Sequence, residues 1–447
     1  MNRSPSARVC IIGAGPSGIA AAKNCLQVGI TPVVYEKGDQ VGGNWVYSPR
    51  LSHSSVFETT HIISSKRHSQ YLDYPMPPDY PDYPSHQQVL RYFQDYAAHF
   101  GVTEHVRFNT EVAHIEKVPG EQWRVTLSDG SREVFDYLMV ANGHHWNPRM
   151  PEYPGTFTGE LLHSHSYKTA APFRDKRVLV VGGGNSACDI AVETSRISAF
   201  TAISMRRGYF IVPKFSLNGK PTDVAAEPLY LLRLPLWARN LLMRMIVWLM
   251  VGDYKSYGLE RPKNKVLGAH LVNNSELLYF LRHGKIHPRR DIARFDGDRV
   301  HFVDGRCETY DTVIAATGYR ITFPFFDPGL IDFGDGKDVP LYHRVFHPDH
   351  PSLFFIGLIQ PLGTIWPLAD LQSKLAANWI IGNYQLPPDV RARAAADAAR
   401  IRRQFLHTPR HTIEVEGFTH KQELIDEIPK DAPAWPYLTR DRNGLTA

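Results

Sequence analysis

The chain has 447 residues and a formal net charge of +5, and 43% of its residues are hydrophobic and 21% charged. This composition is that of a folded globular protein and excludes a largely disordered chain, while the length predicts two or three domains. The lysines and arginines are scattered rather than gathered in a stripe, which argues against nucleic-acid binding.

The first predicted element is a unit of strand, turn and helix. The apolar run 9–12 leads into the glycine-rich loop 13–18 (GAGPSG), which opens a helical pattern. Glycines at this spacing permit a tight turn, let the backbone approach a pyrophosphate and pack a helix against a strand. About 20 residues further on, Glu36 ends a second apolar run, where an acid accepts hydrogen bonds from ribose hydroxyls. The unit predicts a site for FAD or NAD.

A small antiparallel meander is predicted next. The runs 106–116 and 123–127 alternate in polarity and are separated by a Pro-Gly pair. The segment 136–144 follows as a continuous apolar strand, preceded by an aspartate and closed by a glycine turn, and the segment 311–319 repeats this pattern. We expect these two segments to be equivalent strands of two nucleotide-binding domains.

A second glycine-rich unit lies near the middle of the chain. The run 178–181 leads into the loop 182–187 (GGGNSA), and the next predicted strand, 200–205, ends in Arg206 and Arg207. Guanidinium groups at this place bind a 2′-phosphate, which an acid would repel, so the second site is predicted to take NADPH. The alternatives are loops that only pack a helix on a strand and a solvated arginine pair; two loops in one chain weaken them.

A helical insertion is predicted at about 215–275. Within it the segment 229–251 is rich in leucine, methionine and tryptophan, but arginines and a proline interrupt it. Its uncharged runs are far shorter than the roughly 20 residues that span a bilayer, so no transmembrane span is expected. The predicted structure is a buried or amphipathic helix, with contact to a membrane surface or to a second subunit of a homodimer as alternatives.

Late in the chain, the run 353–357 is typical of a strand, and a helix is predicted from about Pro367 to Ile380. The predicted fold class is α/β, with two nested Rossmann-like domains. Residues 1–168 and 321–447 would form the FAD-binding domain, and residues 169–320 would form an inserted NADPH-binding domain. A cleft between them is expected to hold the substrate.

The cysteine pattern and the beginning of the sequence predict a cytoplasmic protein. The four cysteines are isolated and form no C-x-x-C motif, which indicates neither a zinc site nor a redox disulfide, and no metal site is predicted. The first residues run into the first strand without an apolar signal region.

These features together resemble the flavin-containing monooxygenases. The motif Phe157-x-Gly159-x-x-x-His163-x-x-x-Tyr167 matches the fingerprint of that family and stands, as in the family, just before the second glycine loop. The resemblance extends over nearly the whole chain, and implies that His163 and Tyr167 shape an interdomain linker rather than attack the substrate. The residues expected to bind FAD are Gly13, Gly15, Pro16, Ser17, Gly18, Glu36, Gly43 and Trp45. Those expected to bind NADPH are Gly182, Gly184, Asn185, Ser186, Arg206 and Arg207. Cofactor binding is also expected of Thr317, Gly318 and Gln360.

One position departs from the family pattern. Where many members have an asparagine beside the flavin ring and the cofactor amide, this chain has Ile63. An apolar side chain cannot supply the hydrogen bonds of an amide, so another group is needed or the substrate binds differently. No catalytic side chain is predicted.

The resemblance implies that NADPH reduces FAD, and that the reduced flavin and O2 form a C4a-hydroperoxide, which oxygenates soft nitrogen or sulfur nucleophiles. Three alternatives stay open. A Baeyer–Villiger oxygenase would act on ketones, although Tyr167 stands where those enzymes typically have tryptophan. An uncoupled NADPH oxidase would release hydrogen peroxide, and a nucleotide-loaded redox sensor would show no turnover.

Overall fold

A computed structural model describes residues 7–50, 52–231, 234–333, 337–406 and 408–432. The strands, in chain order, are β1 Val9–Ile12, β2 Val33–Tyr35, β3 Val106–Arg107, β4 Val112–Val118, β5 Gln122–Leu127, β6 Arg132–Phe135, β7 Tyr137–Val140, β8 Glu160–His163, β9 Arg177–Val181, β10 Phe200–Ser204, β11 Ile211–Val212, β12 Val272–Asn273, β13 Ile286–Arg289, β14 Ile292–Asp296, β15 Arg299–Phe302, β16 Cys307–Thr309, β17 Thr312–Ala315, β18 Leu353–Phe355, β19 Gln360–Pro361 and β20 Glu414–Val415. The helices are α1 Pro16–Gln27, α2 Lys66–Ser69, α3 His86–His99, α4 Asn185–Thr194, α5 Thr222–Leu231, α6 Leu236–Val251, α7 Leu277–Arg282, α8 Trp366–Ile380, α9 Val390–Gln404 and α10 Gly417–Glu427.

The chain divides into two compact units. The first unit comprises Met1–Val46, Lys66–His144 and Arg320–Ala447, and the second comprises Tyr47–Ser65 and His145–Tyr319. The second unit therefore begins earlier than the predicted boundary at residue 168, because β8 pairs with β17 in the sheet of the second unit. The segment 47–65, predicted as part of the FAD-binding domain, also belongs to the second unit.

The first unit is built on a five-stranded parallel sheet in the order β18, β7, β1, β2, β3. Its central strands β1 and β7 are buried along their whole length, which explains their continuous apolar sequences. The helix α8, predicted from the sequence, is buried at all 15 of its residues and packs against α1. The α/β fold class predicted for this part of the chain is confirmed.

The predicted antiparallel meander is present as β4, β5 and β6. The run 106–116, however, is not one strand. Val106 and Arg107 pair with β2 in the parallel sheet, and Asn109, with φ of +52°, turns the chain before β4 begins. A left-handed residue breaks the extended backbone, so one alternating run serves two sheets.

The second unit has a parallel sheet in the order β13, β10, β9, β17, β8, and an antiparallel sheet of β14, β15 and β16. As predicted, the two repeated segments are equivalent: β7 lies beside β1 in the first sheet, and β17 lies beside β9 in the second. Both are buried strands next to the strand that leads into a glycine loop.

The predicted helical insertion contains α5 and α6. No helix in the described ranges is long and apolar enough to cross a bilayer. The α6 helix buries Met243, Val247 and Val251. Its other side exposes large apolar side chains, namely Trp237, Leu241, Met245, Trp248 and Leu249.

Candidate functional site

The first glycine loop connects β1 to α1 through a contact that only glycine allows. A Cβ atom on Gly18 would lie 1.8 Å from the carbonyl oxygen of Gly13, which itself has φ of +96°. Gly15 precedes the first turn of α1, and Pro16 takes a first-turn position, where no N–H donor is needed. The N–H groups at the start of α1 and its dipole favour an anion at this end of the helix.

A second turn, residues 42–45, crosses this loop. A Cβ atom on Gly43 would lie 2.8 Å from the Cα atom of Gly15, so the two backbones touch. Trp45 meets Trp366 edge to face, with the ring centroids 5.4 Å apart. Trp45 is therefore held by an aromatic ring of α8.

Glu36 lies directly after β2 and is bound by the glycine loop itself. Its side chain is buried, and its two carboxylate oxygens accept hydrogen bonds from the N–H groups of Ala14 and Gly38, each at 2.7 Å. A carboxylate oxygen can accept more than one hydrogen bond, so these contacts orient Glu36 and leave capacity for a ribose hydroxyl.

Two further residues predicted to bind cofactor, Ser17 and Gln360, lie in the same unit. A Cβ atom on Gly357, just after β18, would lie 2.1 Å from the Oγ atom of Ser17, so the end of β18 meets the start of α1. Gln360 is buried, and its Oε1 atom has no hydrogen-bond partner among the described residues. A buried acceptor of this kind calls for an external donor. The glycine cradle, Glu36 and Gln360 together fit FAD.

In the second unit, β9 leads into the second glycine loop, where neighbouring glycines differ in their surroundings. A Cβ atom on Gly183 would lie 2.2 Å from the ring of Tyr209, and one on Gly182 would lie 2.4 Å from the carbonyl oxygen of Ala316. A Cβ atom on Gly184 would meet nothing within 4 Å. The protein itself therefore does not require glycine at 184, whereas a closely approaching pyrophosphate does.

The start of α4 is fixed from a distant part of the chain. The Oδ1 atom of Asn185, the first residue of α4, accepts a hydrogen bond from the N–H group of Asn273 at 2.9 Å. Ser186 is exposed, and Ala187, in the last glycine position, is fully buried. Ser186 is thus available to a ligand and Ala187 packs in the core.

Arg206 and Arg207 follow the end of β10, as predicted. Arg206 is exposed, and the guanidinium group of Arg207 stacks on the ring of Tyr209 at 4.4 Å from its centroid. No ion pair of either arginine occurs within the described part of the chain. Because Tyr209 also contacts Gly183, these arginines and the glycine loop belong to one local structure, which fits the 2′-phosphate end of NADPH.

Thr317 and Gly318 lie at the end of β17, within the second unit. The hydroxyl group of Thr317 donates to the carbonyl oxygen of Arg149 at 2.5 Å, and the carbonyl oxygen of Gly318 accepts from the Arg149 N–H group. His163 is buried here, and its pKa is lowered to about 4, first by burial and then by His165. His163 is therefore neutral at neutral pH, and its Nδ1 atom accepts a hydrogen bond from the N–H group of His165 at 3.1 Å.

The other fingerprint residues also make structural contacts. A Cβ atom on Gly159 would lie 2.6 Å from the carbonyl oxygen of Asp311, and Phe157 packs against Phe295. Tyr167 is buried and donates from its hydroxyl group to the carboxylate of Glu193 on α4 at 2.6 Å. The fingerprint therefore connects the segment 157–167 to the helix that follows the second glycine loop.

Ile63 is half-buried, in a segment tied to the second unit. Its carbonyl oxygen accepts from the side-chain amide of Asn273 at 3.0 Å, and the carbonyl oxygen of Ile62 accepts from the Nζ atom of Lys214 at 3.2 Å. Neither Asn273 nor Lys214 stands out in the sequence as a functional residue. No local pattern marks them, because each lies more than a hundred residues from its partner.

A model of the family described as FMO-like, flavin-binding monooxygenase-like, matches residues 6–440. The chain belongs to this family. Flavin-containing monooxygenase 5 of Rattus norvegicus is 34% identical over 442 residues, which cover 94% of this chain and 82% of the relative. Dimethylaniline monooxygenase (N-oxide-forming) 2 of the same species is 35% identical over 405 residues, which cover 86% and 75% of the two chains.

Solved structures agree with the fold. S-allyl-L-cysteine S-oxygenase from Allium sativum gives a TM-score of 0.71 at 24% identity, over 95% of this chain and 88% of that one. The open structure of cyclohexanone monooxygenase gives 0.70 at 16% identity, over 94% and 97%. As a member of the flavin-binding monooxygenase-like family, the protein is an FAD- and NADPH-dependent monooxygenase that acts on a small-molecule substrate and O2.

Proposed function

We propose that the first unit is the FAD-binding domain, that the second unit is the NADPH-binding domain, and that the enzyme oxygenates soft nitrogen or sulfur nucleophiles. One observation carries the assignment of the two sites. Each unit has a glycine loop followed by a helix and a second strand, and the residues after these second strands have opposite charges. Glu36 follows β2 in the first unit, and Arg206 follows β10 in the second. A carboxylate suits free ribose hydroxyls, whereas a guanidinium group suits a 2′-phosphate.

In the first unit, the loop 13–18 would hold the pyrophosphate of FAD at the start of α1, and Glu36 would accept from the adenosine ribose. Gly43 and Trp45 would border the nucleotide, since they lie against Gly15 and α8 respectively. The buried Oε1 atom of Gln360 would receive its missing donor from the bound group.

In the second unit, Gly184 would let the backbone approach the pyrophosphate of NADPH, and Asn185 and Ser186 would border it at the first turn of α4. Arg206 would bind the 2′-phosphate, with Arg207 held beside it by Tyr209. Thr317 and Gly318 form the turn after β17, and their hydrogen bonds to the main chain of Arg149 would position that turn next to the nucleotide.

The bound cofactors supply hydride transfer and oxygen activation, and the chain supplies binding, orientation and exclusion of water. Neutral His163 fits this division of labour, because an imidazole with a pKa near 4 is not in its imidazolium form at neutral pH and is a poor general acid. The side chains of this site thus have positioning roles, which suits a nucleophilic substrate that needs access rather than an acid and a base.

Nitrogen nucleophiles are the first substrates to test, because the dimethylaniline monooxygenase at 35% identity is named for N-oxide formation. In the experiment, tertiary amines, thioethers and cyclic ketones are offered separately, and NADPH consumed, oxygenated product and hydrogen peroxide are measured together. The proposal predicts amine- or thioether-dependent product at the expense of peroxide. Product from ketones alone would indicate a Baeyer–Villiger enzyme, and a flavin that stays oxidised with NADPH would indicate a sensor.

An uncoupled NADPH oxidase is the second candidate, and Ile63 is the observation that favours it. If Ile63 lowers coupling because it lacks an amide, Ile63→Asn should reduce the peroxide released per NADPH several-fold when substrate is present. Ile63→Leu, of similar volume, serves as the matched control and should change nothing. An unchanged peroxide yield in Ile63→Asn would argue that another group already fills this role.

Two expectations from the sequence stay proposals, namely a cytoplasmic location and a homodimer. The exposed apolar side of α6 is the surface to test for subunit contact, since large exposed apolar patches commonly mark interaction sites. Sedimentation velocity of the wild type and of Leu241→Glu measures this, and an unchanged monomer in both would reject the dimer. Fractionation of cells that express the chain tests the location.

A further inference from the structure

The main chain of residues 62–65 is held by three side chains from distant parts of the second unit. Lys214 donates to the carbonyl oxygen of Ile62 at 3.2 Å, and Asn273 donates to that of Ile63 at 3.0 Å. The carboxylate of Asp223 accepts from the N–H group of Ser65 at 2.7 Å. All three bonds use main-chain atoms of the segment, so they do not depend on which side chain residue 63 carries.

The same anchors reach α4, the helix that would carry the NADPH pyrophosphate. Asn273 donates from its N–H group to the side chain of Asn185, the first residue of α4. The neighbouring Asn274 donates to the carboxylate of Asp189, one turn further along that helix, at 2.6 Å. One short strand, β12, and the residue after it therefore touch both the segment 62–65 and the first turns of α4.

Electrostatics extend this connection. Lys214 is half-buried, and the carboxylates of Asp189 and Glu276 act on its ammonium group. Asp189 in turn has its pKa raised to about 6, first by burial, against the opposing attraction of Lys214. An attraction between α4 and the residue that holds Ile62 is thus present at neutral pH, when Asp189 is ionised.

We propose that Lys214 and Asn273 are positioning residues that couple the main chain of residues 62–65 to the NADPH-binding helix α4. NADP(H) that binds at the start of α4 orders Asn185, Asn273 and the segment 62–65 together, and loss of either anchor breaks the coupling. This inference rests on the proposed function, since it requires NADPH at α4. It also explains how the chain accommodates Ile63: the position of this segment is specified through its main chain.

The test is hydrogen–deuterium exchange of peptides that cover residues 60–66 in the FAD-loaded full chain, with and without NADP⁺. In the wild type, NADP⁺ should slow exchange in these peptides at least several-fold. In Lys214→Met and Asn273→Leu, the slowing should be largely lost, while Lys214→Arg, which keeps the charge and the donor, should retain most of it. Lys220→Met, an exposed lysine of the same loop, is the matched control and should behave as the wild type.

A second readout separates positioning from folding. FAD content and melting temperature identify variants that fail to fold. If Asn273→Leu does not fold, Asn273→Asp replaces it, because its side chain is nearly isosteric but cannot donate to Ile63. In folded variants, peroxide released per NADPH should rise several-fold with little change in FAD content. Binding of NADP⁺ to the wild type with no slowing at 60–66 would overturn this inference alone. Failure of the wild type to bind NADP⁺ would overturn the proposed function as well.

Discussion

The hydroxyl group of Tyr167 lies 2.6 Å from the carboxylate of Glu193 and donates a hydrogen bond to it. The bond joins the last residue of the family fingerprint to the helix after the second glycine loop. Burial raises the pKa of Glu193 to about 7, and the bond from Tyr167 opposes that rise. Glu193 is therefore a partly buried acid whose charge changes near neutral pH.

This raised pKa predicts the sign of a stability change with pH. An acid with a higher pKa in the folded than in the unfolded state stabilises the fold below its unfolded pKa, about 4.3, and that contribution is lost as pH rises through about 7. The melting temperature of Glu193→Gln relative to that of the wild type should therefore be at least about 2 °C higher at pH 8 than at pH 5.

Scanning calorimetry from pH 5 to pH 8 measures this difference. The exposed Glu152→Gln is the control and should show no pH-dependent change. Tyr167→Phe removes the bond that lowers the pKa of Glu193. The fall in stability with rising pH should therefore extend to higher pH in this variant than in the wild type. A constant difference between Glu193→Gln and the wild type at all pH values would contradict the raised pKa.

Neighbouring glycines of the second loop should respond differently to alanine. Gly184→Ala should keep its melting temperature and FAD content, because the added Cβ atom meets nothing within 4 Å, but its KM for NADPH should rise about tenfold or more. Gly183→Ala should lose stability, because its Cβ atom would lie 2.2 Å from the ring of Tyr209. Thermal melts and steady-state kinetics distinguish the two effects, and a normal KM in Gly184→Ala would place the pyrophosphate elsewhere.

Removal of the Arg206 guanidinium should reduce the preference for the phosphorylated cofactor. We expect Arg206→Ala to raise the KM for NADPH at least about tenfold, which corresponds to about 1.4 kcal/mol, and to leave the KM for NADH unchanged. Arg207→Ala should have a smaller effect, because Arg207 is stacked on Tyr209. Initial rates with both cofactors test this, and an equal loss for NADH and NADPH would show that Arg206 does not contact the 2′-phosphate.

A buried ionic cluster in the first unit should contribute strongly to stability. The Nζ atom of Lys23 lies 2.6 Å from Asp73 and 2.7 Å from Asp370, and all three side chains are buried. Lys23→Met leaves the two carboxylates with less compensating charge and should cost about 3–5 kcal/mol in the free energy of unfolding.

Chemical denaturation measures that cost. The double variant Lys23→Met with Asp370→Asn removes one positive and one negative charge and should recover part of it. Lys176→Met breaks an exposed pair with Glu160 and should change stability by less than about 1 kcal/mol. A Lys23→Met protein as stable as the wild type would mean that Lys374, beside Asp370, suffices to balance the carboxylates.

The features that the sequence predicted all depend on residues that are close together in the chain. Glycine spacing fixes the two loops, apolar runs fix the central strands, and proline and periodicity place α8. Even Arg206 follows from local sequence, because the length of a β-α-β unit brings the end of its second strand back to the glycine loop. The α/β class, the two loops and the meander were therefore predictable.

The features that the sequence did not predict depend on which distant segments meet. The run 106–116 serves two sheets because Val106 pairs with Val34, and no alternation of polarity reveals a partner. The segment 47–65 belongs to the second unit, where Lys214 and Asn273 bind its main chain. Likewise, Lys23, Asp73 and Asp370 are ordinary charged residues in the sequence. The packing of α1 against α8 brings Lys23 to Asp370, and the connection between α2 and α3 adds Asp73.

The sequence by itself thus determined the two glycine loops and the opposite charges that follow them, because backbone geometry and side-chain charge are local properties. Tertiary structure alone decided which main chain Lys214 and Asn273 hold, and how Tyr167 reaches Glu193. Such contacts form only when chain segments far apart in sequence are brought together by a shared core. The local sequence around each residue does not reveal its partner.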